Sequence, residues 1–266
     1  MTKSFILLGL VLALSNCTTT QSISLNTPQV THVDLPDGVT IRIENNISEN
    51  LVASVLRQDL PRLLEQTGHW GALSEDVIIR IHGSSSGFRD HVKQDHPGHL
   101  DGWATYRSID VQSPRAAGVE RWRDRLRQVV VHELTHVRFF QTVRLHVDWR
   151  QTDIPFWFVE GMAVYTAQTE QSRTDWRGLR RASNGLDLRL LLDPTPIVVQ
   201  QQSRLAYTTA GVAFGEILAL KGTKGIREIM GGLSNGETFT EVFRRVYDRS
   251  IGDILRSWGA QIGQDF

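Results

Sequence analysis

Two histidines four residues apart, His132 and His136, with Glu133 directly after the first, form HELTH within VVVHELTHVRFF. On a helix, positions i and i+4 project from one face a turn apart. Both imidazoles can therefore reach a single metal ion. Glu133 is rotated by about 100° from His132, so it can flank that ion without ligating it. A carboxylate there suits a general base for water polarised by a metal. The five letters are moderately specific, because short patterns recur by chance in helices. Their neighbours sharpen the reading. Val129, Val130, Val131, Leu134, Val137, Phe139 and Phe140 make the segment apolar nearly all round, which is the mark of a buried helix. Two histidines and a glutamate in such a helix need partners. Either each histidine bonds a backbone carbonyl or the group serves a metal; three such residues together favour the metal.

Catalytic zinc takes three protein ligands and keeps a fourth position open. A histidine six residues beyond His136, after a glycine turn, is not available: Phe139 and Thr142 stand on that route. Glu160 in WFVEGMAVY offers another, with residues 137–159 lying between. On a helix, Phe156, Glu160, Ala163, Val164 and Ala167 share a face that is apolar but for the glutamate. A carboxylate in an apolar stripe is costly unless it is paired or metal-bound. Gly161, Ala163 and Ala167 are small, and are expected to let this helix pack close to the HELTH helix. His146 and Asp148 are rival ligands, but their distance along the chain should turn them away from the site.

The elements that must position these residues follow from periodicity. VTIRI (39–43) and DVIIRIHG (76–83) read as strands, and WATYRSIDVQS (103–113) as a strand pair or one long edge strand. Residues 46–68 read as a helix with Ser48 capping its start, Gly68 ending it and Pro61 bending or splitting it. Leu51, Val55, Leu60, Leu63 and Leu64 form its apolar stripe. A second helix spans 118–142 and holds HELTH. A third spans 153–168, with Asp153 as its cap and Pro155 in its first turn. Residues 84–102 read as a long polar loop, 171–200 as irregular, and 204–266 as helices broken at glycines. His91, His96 and His99 are read as part of a polar loop overhanging the cleft rather than as a second metal site. Strands precede helices, so the fold class is α+β.

The chain has 266 residues, with 29 Lys+Arg balanced by 29 Asp+Glu, so no bulk charge points to nucleic acid. The locally basic RWRDRLR (121–127) reads as the solvated face of a helix. MTK followed by the apolar run FILLGLVLAL (5–14) reads as a secretory signal, too short to span a bilayer. The only cysteine, Cys17, follows it in LSNC, which resembles a bacterial lipoprotein cleavage box apart from Asn16, where a small residue is usual. Lipidation at Cys17 is the favoured reading, and ordinary signal cleavage the other. The expected organisation is a signal peptide at 1–16, a flexible tether at 17–35 and one domain at 36–266, held on the periplasmic side of a bacterial cell envelope by a lipid anchor in the membrane.

HELTH followed by PFWFVEGMAVY resembles the gluzincin metallopeptidases, the peptidase-MA-like group related to thermolysin and the zinc aminopeptidases. Trp157, Glu160, Gly161 and Ala163 carry the second half of the resemblance. It extends weakly over most of 40–258 and is sharp only at these two elements. It implies a zincin-like fold: a small N-terminal mixed sheet with helices, then the active-site helix and a mostly helical C-terminal part. It implies one zinc ion (Zn2+) held by His132, His136 and Glu160, with Glu133 as general base in the hydrolysis of a peptide or protein substrate. It also implies an edge strand for an extended peptide, for which Tyr106–Val111 is the candidate. Relatives often donate to the oxyanion from the C-terminal helices. Tyr207, at the start of a helix in LAYTTAG, is the candidate here, although Tyr207, Ala210, Gly211, Phe214 and Leu218 also form a core stripe. Some members carry an aspartate four residues after the glutamate ligand; Val164 stands there. The alternatives are a non-catalytic zinc-containing envelope protein that binds peptides or assists assembly, and a zinc hydrolase acting on another amide.

Overall fold

The computed structural model describes residues 29–45, 50–92, 101–167, 174–183, 186–187 and 189–263. Cys17, Asn16, Ser48, His96 and His99 lie outside them. The N-terminal part is a mixed five-stranded sheet in the order β1-β2-β3-β5-β4. Its strands are β1 (Gln29–Asp34), β2 (Thr40–Asn45), β3 (Val77–His82), β4 (Gly102–Ala104) and β5 (Ser108–Gln112). β2, β3 and β5 run parallel, while β1 and β4 close the two edges antiparallel. Parallel neighbours need a crossover. Helix α1 (Asn50–Thr67) supplies it between β2 and β3, and the short α2 (Ser85–Val92) lies between β3 and the β4–β5 hairpin. Helices follow: α3 (Trp122–Val143), α4 (Phe156–Thr166), α5 (Trp176–Ser183), α6 (Arg189–Leu192), α7 (Pro196–Ser234), α8 (Phe239–Tyr247) and α9 (Ile251–Ile262). The fold class is α+β, as the order of sequence patterns implied.

Strand alternation sorts the sheet into two faces. Ile41, Ile43, Val77, Ile79, Ile81, Ile109 and Val111 are buried beneath α1 and α3. The other face carries Glu44, Arg80, Asp110 and Trp103 in one row across four strands. A second core fills the helical half around Trp157, Phe158, Phe214, Phe239 and Phe243. Helix α3 is the wall between the two. Leu126, Val130, Leu134 and Val137 belong to the sheet-side core, whereas Phe139, Phe140 and Val143 belong to the helical one.

Several expectations change. Gln29–Asp34 falls in the segment read as tether, yet it pairs with β2 along its whole length. It is an outer strand with mostly exposed residues, so it lacks a clear apolar alternation. Helix α1 runs unbroken through the exposed Pro61. Leu51 is exposed, and Val52 and Leu56 take its place in the stripe. Part of the expected polar loop is helix α2, and 171–200 contains α5, α6 and the start of α7. Residues 103–113 are a strand pair, but β5 is interior and β4 is the edge. The sheet edge expected at Tyr106–Val111 is therefore Gly102–Ala104. Asp153 does not cap α4: its carboxylate accepts from the Phe239 N–H at 2.8 Å, and Pro155 holds the cap position. Helix α7 is interrupted at Gly222, where φ is +62°, a conformation that glycine adopts without strain, but also at Gln202, which is no glycine.

Candidate metal centre

The HELTH segment is buried over Val129–Val143 except where His132 and Thr142 reach half-exposed positions. Two buried polar side chains fix it. Gln141 Oε1 accepts from the N–H groups of Ser74 (2.8 Å) and Glu75 (3.2 Å), and Gln141 Nε2 donates to the Tyr106 carbonyl at 3.0 Å. Arg138 donates to Thr67 Oγ1 (2.9 Å), to the Leu64 carbonyl (3.1 Å) and to the Gly71 carbonyl. A cation at the C-terminal end of α1 also suits the helix dipole. Neither residue drew notice in the sequence, because the partners lie far along the chain.

Helix α4 crosses α3 and is buried nearly all round. It brings Glu160 to the two histidines. His132 Nε2 and His136 Nε2 are 3.2 Å apart, and Glu160 Oε2 lies 3.3 Å from each. The three atoms form a nearly equilateral triangle. Imidazole nitrogen and carboxylate oxygen bind a tetrahedral metal at about 2.0–2.1 Å, which puts ligand atoms roughly 3.3–3.4 Å apart. The observed edges match one face of that tetrahedron. Among the described residues this is the group of three whose donor atoms all lie within 4.8 Å of one another, close enough to share one ion. Glu160 Oε2 is buried and makes no hydrogen bond, so the fit also accounts for an otherwise orphaned acceptor. The rival ligands stand outside this group, although both border the same cleft. His146 stacks on Tyr106 with ring centroids 3.9 Å apart, and Asp148 pairs with Arg150 at 2.7 Å.

Gly161 serves a different contact from the one expected. A Cβ there would run into the backbone carbonyl of Ala210 and come within 2.8 Å of Phe214 Cβ. The missing side chain lets α4 approach α7, not α3. That approach brings Tyr207 toward the centre. Its ring lies 6.2 Å from that of His132 and 5.7 Å from that of Phe156, and the residue is half-buried. Ala210, Gly211 and Phe214 on the same helix do turn into the core.

Glu133 stays outside the ligand group and packs against the sheet edge. A Cβ on Gly102 of β4 would lie 2.6 Å from Glu133 Oε1 and 2.8 Å from Glu133 Cγ. The edge strand therefore touches this carboxylate only because residue 102 is glycine. Burial pushes the Glu133 carboxyl up to about 7; His132 opposes the rise and the charge of Glu160 adds to it. Burial acts in the same sense on Glu160, but His136 and His132 outweigh it and hold that carboxyl well below the usual range. Two neighbouring carboxylates are thus driven apart, one toward a proton carrier and one toward a permanent anion. Burial, then the charges of Glu160 and Glu133, raise the Tyr207 phenol and keep its O–H as a donor.

The group opens into a cleft of about 1100 Å³. β4 lines one side, the 145–156 segment another, and Arg204 and Tyr207 of α7 a third. His136 Nδ1 is buried and has no hydrogen-bond partner among the described residues. Val164, also at the cleft, cannot supply one. No family model matches the chain, and no curated protein matches it.

Proposed function

We propose that this protein is a zinc-dependent peptidase of the gluzincin type. His132, His136 and Glu160 would hold one zinc ion, and the near-tetrahedral spacing of their donor atoms supports the choice of metal. Bound zinc supplies Lewis-acid polarisation and lowers the pKa of water toward neutrality. Glu133 then takes a proton from the attacking water and returns it to the leaving amine, a task suited to a carboxyl near pH 7. The protonated Tyr207 phenol donates to the carbonyl oxygen as negative charge develops there. The edge strand Gly102–Ala104 borders the cleft and offers backbone groups to an extended peptide.

The observation that carries this reading is Glu133, a buried carboxylate beside the ligand triangle that a purely structural metal site does not need. A membrane tether through lipidated Cys17, on the periplasmic side of a bacterial cell envelope, completes the proposal. No described helix is long and apolar enough to cross a membrane. The test is cleavage of a peptide library by the zinc-loaded wild type and by Glu133→Gln. Cleavage that drops by about 10²-fold or more while zinc content is retained supports the base; undiminished cleavage by the variant contradicts it. One observation favours a second reading, a zinc-containing envelope protein that binds peptides without cutting them. His136 Nδ1 lacks the acceptor that normally orients a metal-bound histidine. Peptide binding with unit zinc and no turnover would support that reading.

A further inference from the structure

On the opposite face of the sheet, away from α3, lies a looser cluster of two histidines and an aspartate. Asp110 of β5 is buried, and one of its carboxylate oxygens is approached by two imidazoles. His82 Nε2 at the end of β3 lies 2.7 Å from Asp110 Oδ1, and His91 Nε2 of α2 lies 3.5 Å from the same atom. The two rings are 5.2 Å apart centroid to centroid, compared with 4.8 Å for His132 and His136. A separate cavity of about 420 Å³ opens at this point, lined by His82, Gly83, Ser84, Gly87 and His91.

A plain ion-pair network accounts for only part of this arrangement. The His82 contact is a good hydrogen bond, but the His91 contact is too long to be one. Arg80 does not fill the remaining need. It binds Glu44 at 3.0 Å and stands 3.6 Å from the far Asp110 oxygen, Oδ2. Asp110 Oδ1 therefore stands between two imidazole edges, close to the cavity that His82 and His91 line. The His82 and Asp110 side chains are each about 5% exposed, whereas that of His91 is 46% exposed and so is free to swing inward on its helix.

We infer that His82, Asp110 and His91 form a second site, independent of the first, for a late first-row divalent cation. Two imidazoles and one carboxylate select the class that includes zinc, nickel and copper over calcium or magnesium. Binding closes the gap at His91: its Nε2 leaves the carboxylate oxygen and takes the ion, and His82 offers Nε2 in the neutral tautomer that carries its proton on Nδ1. Trp103, the cross-strand neighbour of Asp110, lines the cleft, so the second ion would brace the sheet edge that borders the first site.

The test is zinc titration of the chelator-stripped full chain against a chromophoric competitor, for wild type, His91→Ala and His136→Ala. The expected result is two equivalents in the wild type and one in each variant, with the remaining equivalent keeping its affinity within about threefold. Because His91 is exposed, its removal leaves the fold intact, which the circular dichroism spectrum and Tm check. A single equivalent in the wild type that His91→Ala leaves in place overturns the inference. So do two equivalents that both persist unchanged in His91→Ala. A single equivalent lost only in His91→Ala would sustain this site and sink the first, so the two failures are distinguishable.

Discussion

Gly102→Ala isolates the contact between the sheet edge and Glu133, the proposed general base. The glycine has an ordinary backbone conformation, so the substitution acts only through the added methyl group. That carbon would lie 2.6 Å from Glu133 Oε1, 2.8 Å from Glu133 Cγ and 2.8 Å from Val129 Cγ1, against ordinary contacts of 3.4–4 Å. Something must yield by about 0.6–0.8 Å. The carboxylate oxygen can rotate away, but Glu133 Cγ and Val129 Cγ1 sit close to the α3 backbone, so β4 and α3 must also part slightly. Overpacking of this size costs about 1–3 kcal/mol of stability. Displacing a reacting group by about 1 Å costs on the order of 10²-fold in rate. We expect kcat/KM for a cleaved peptide to fall by about 30- to 100-fold, equivalent to about 2–3 kcal/mol. Zinc affinity should stay within about threefold of wild type, because the three atoms nearest the new methyl group belong to Glu133 and Val129, not to a ligand. Steady-state kinetics and zinc competition on the same samples measure both quantities. Full activity with zinc bound would refute the placement of Glu133 against β4, and loss of zinc in step with activity would refute its separation from the ligand group.

Two further outcomes follow from the same geometry. In the metal-free protein, burial raises the Glu133 carboxyl to about 7 from its ordinary 4.5. The folded state therefore binds more protons than the unfolded state between those values, and stability falls as pH rises through that window, by about 3 kcal/mol in all. Glu133→Gln should abolish this loss, so its advantage over wild type in urea unfolding with chelator should be small at pH 4.5 and full at pH 8; an advantage that does not change with pH contradicts the buried carboxyl. Gly161→Ala should part α4 from α7, since the Ala210 carbonyl is backbone and cannot move aside. A fall in Tm of between about 2 and 10 °C is expected, and an unchanged Tm would contradict the close approach.

How much could be read from the chain depended on whether the signal was local. HELTH was legible because two histidines one helical turn apart need nothing but the helix to face one point. Glu160 was legible because an acid in an apolar stripe demands a partner. The edge strand was misassigned because strand order is decided by long-range pairing, which leaves no mark on the alternation of Ser108–Gln112. β1 was missed because its residues stay mostly exposed. Arg138 and Gln141 escaped notice because their carbonyl and amide partners come from α1, its following turn and Tyr106. Gly161 was read as small, correctly, but its neighbour Ala210 lies on a helix whose position no local pattern gives. His82 and Asp110 belong to separate strands, and only the parallel pairing of β3 with β5 brings them together.

The central claim is that His132, His136 and Glu160 together hold one zinc ion. Zinc content of the full chain after dialysis against a weak chelator, compared between wild type and Glu160→Ala, tests it most directly. The account predicts that the variant holds one equivalent fewer than wild type while keeping its helical content. Equal zinc in the two proteins would contradict it, because the third ligand would then lie elsewhere.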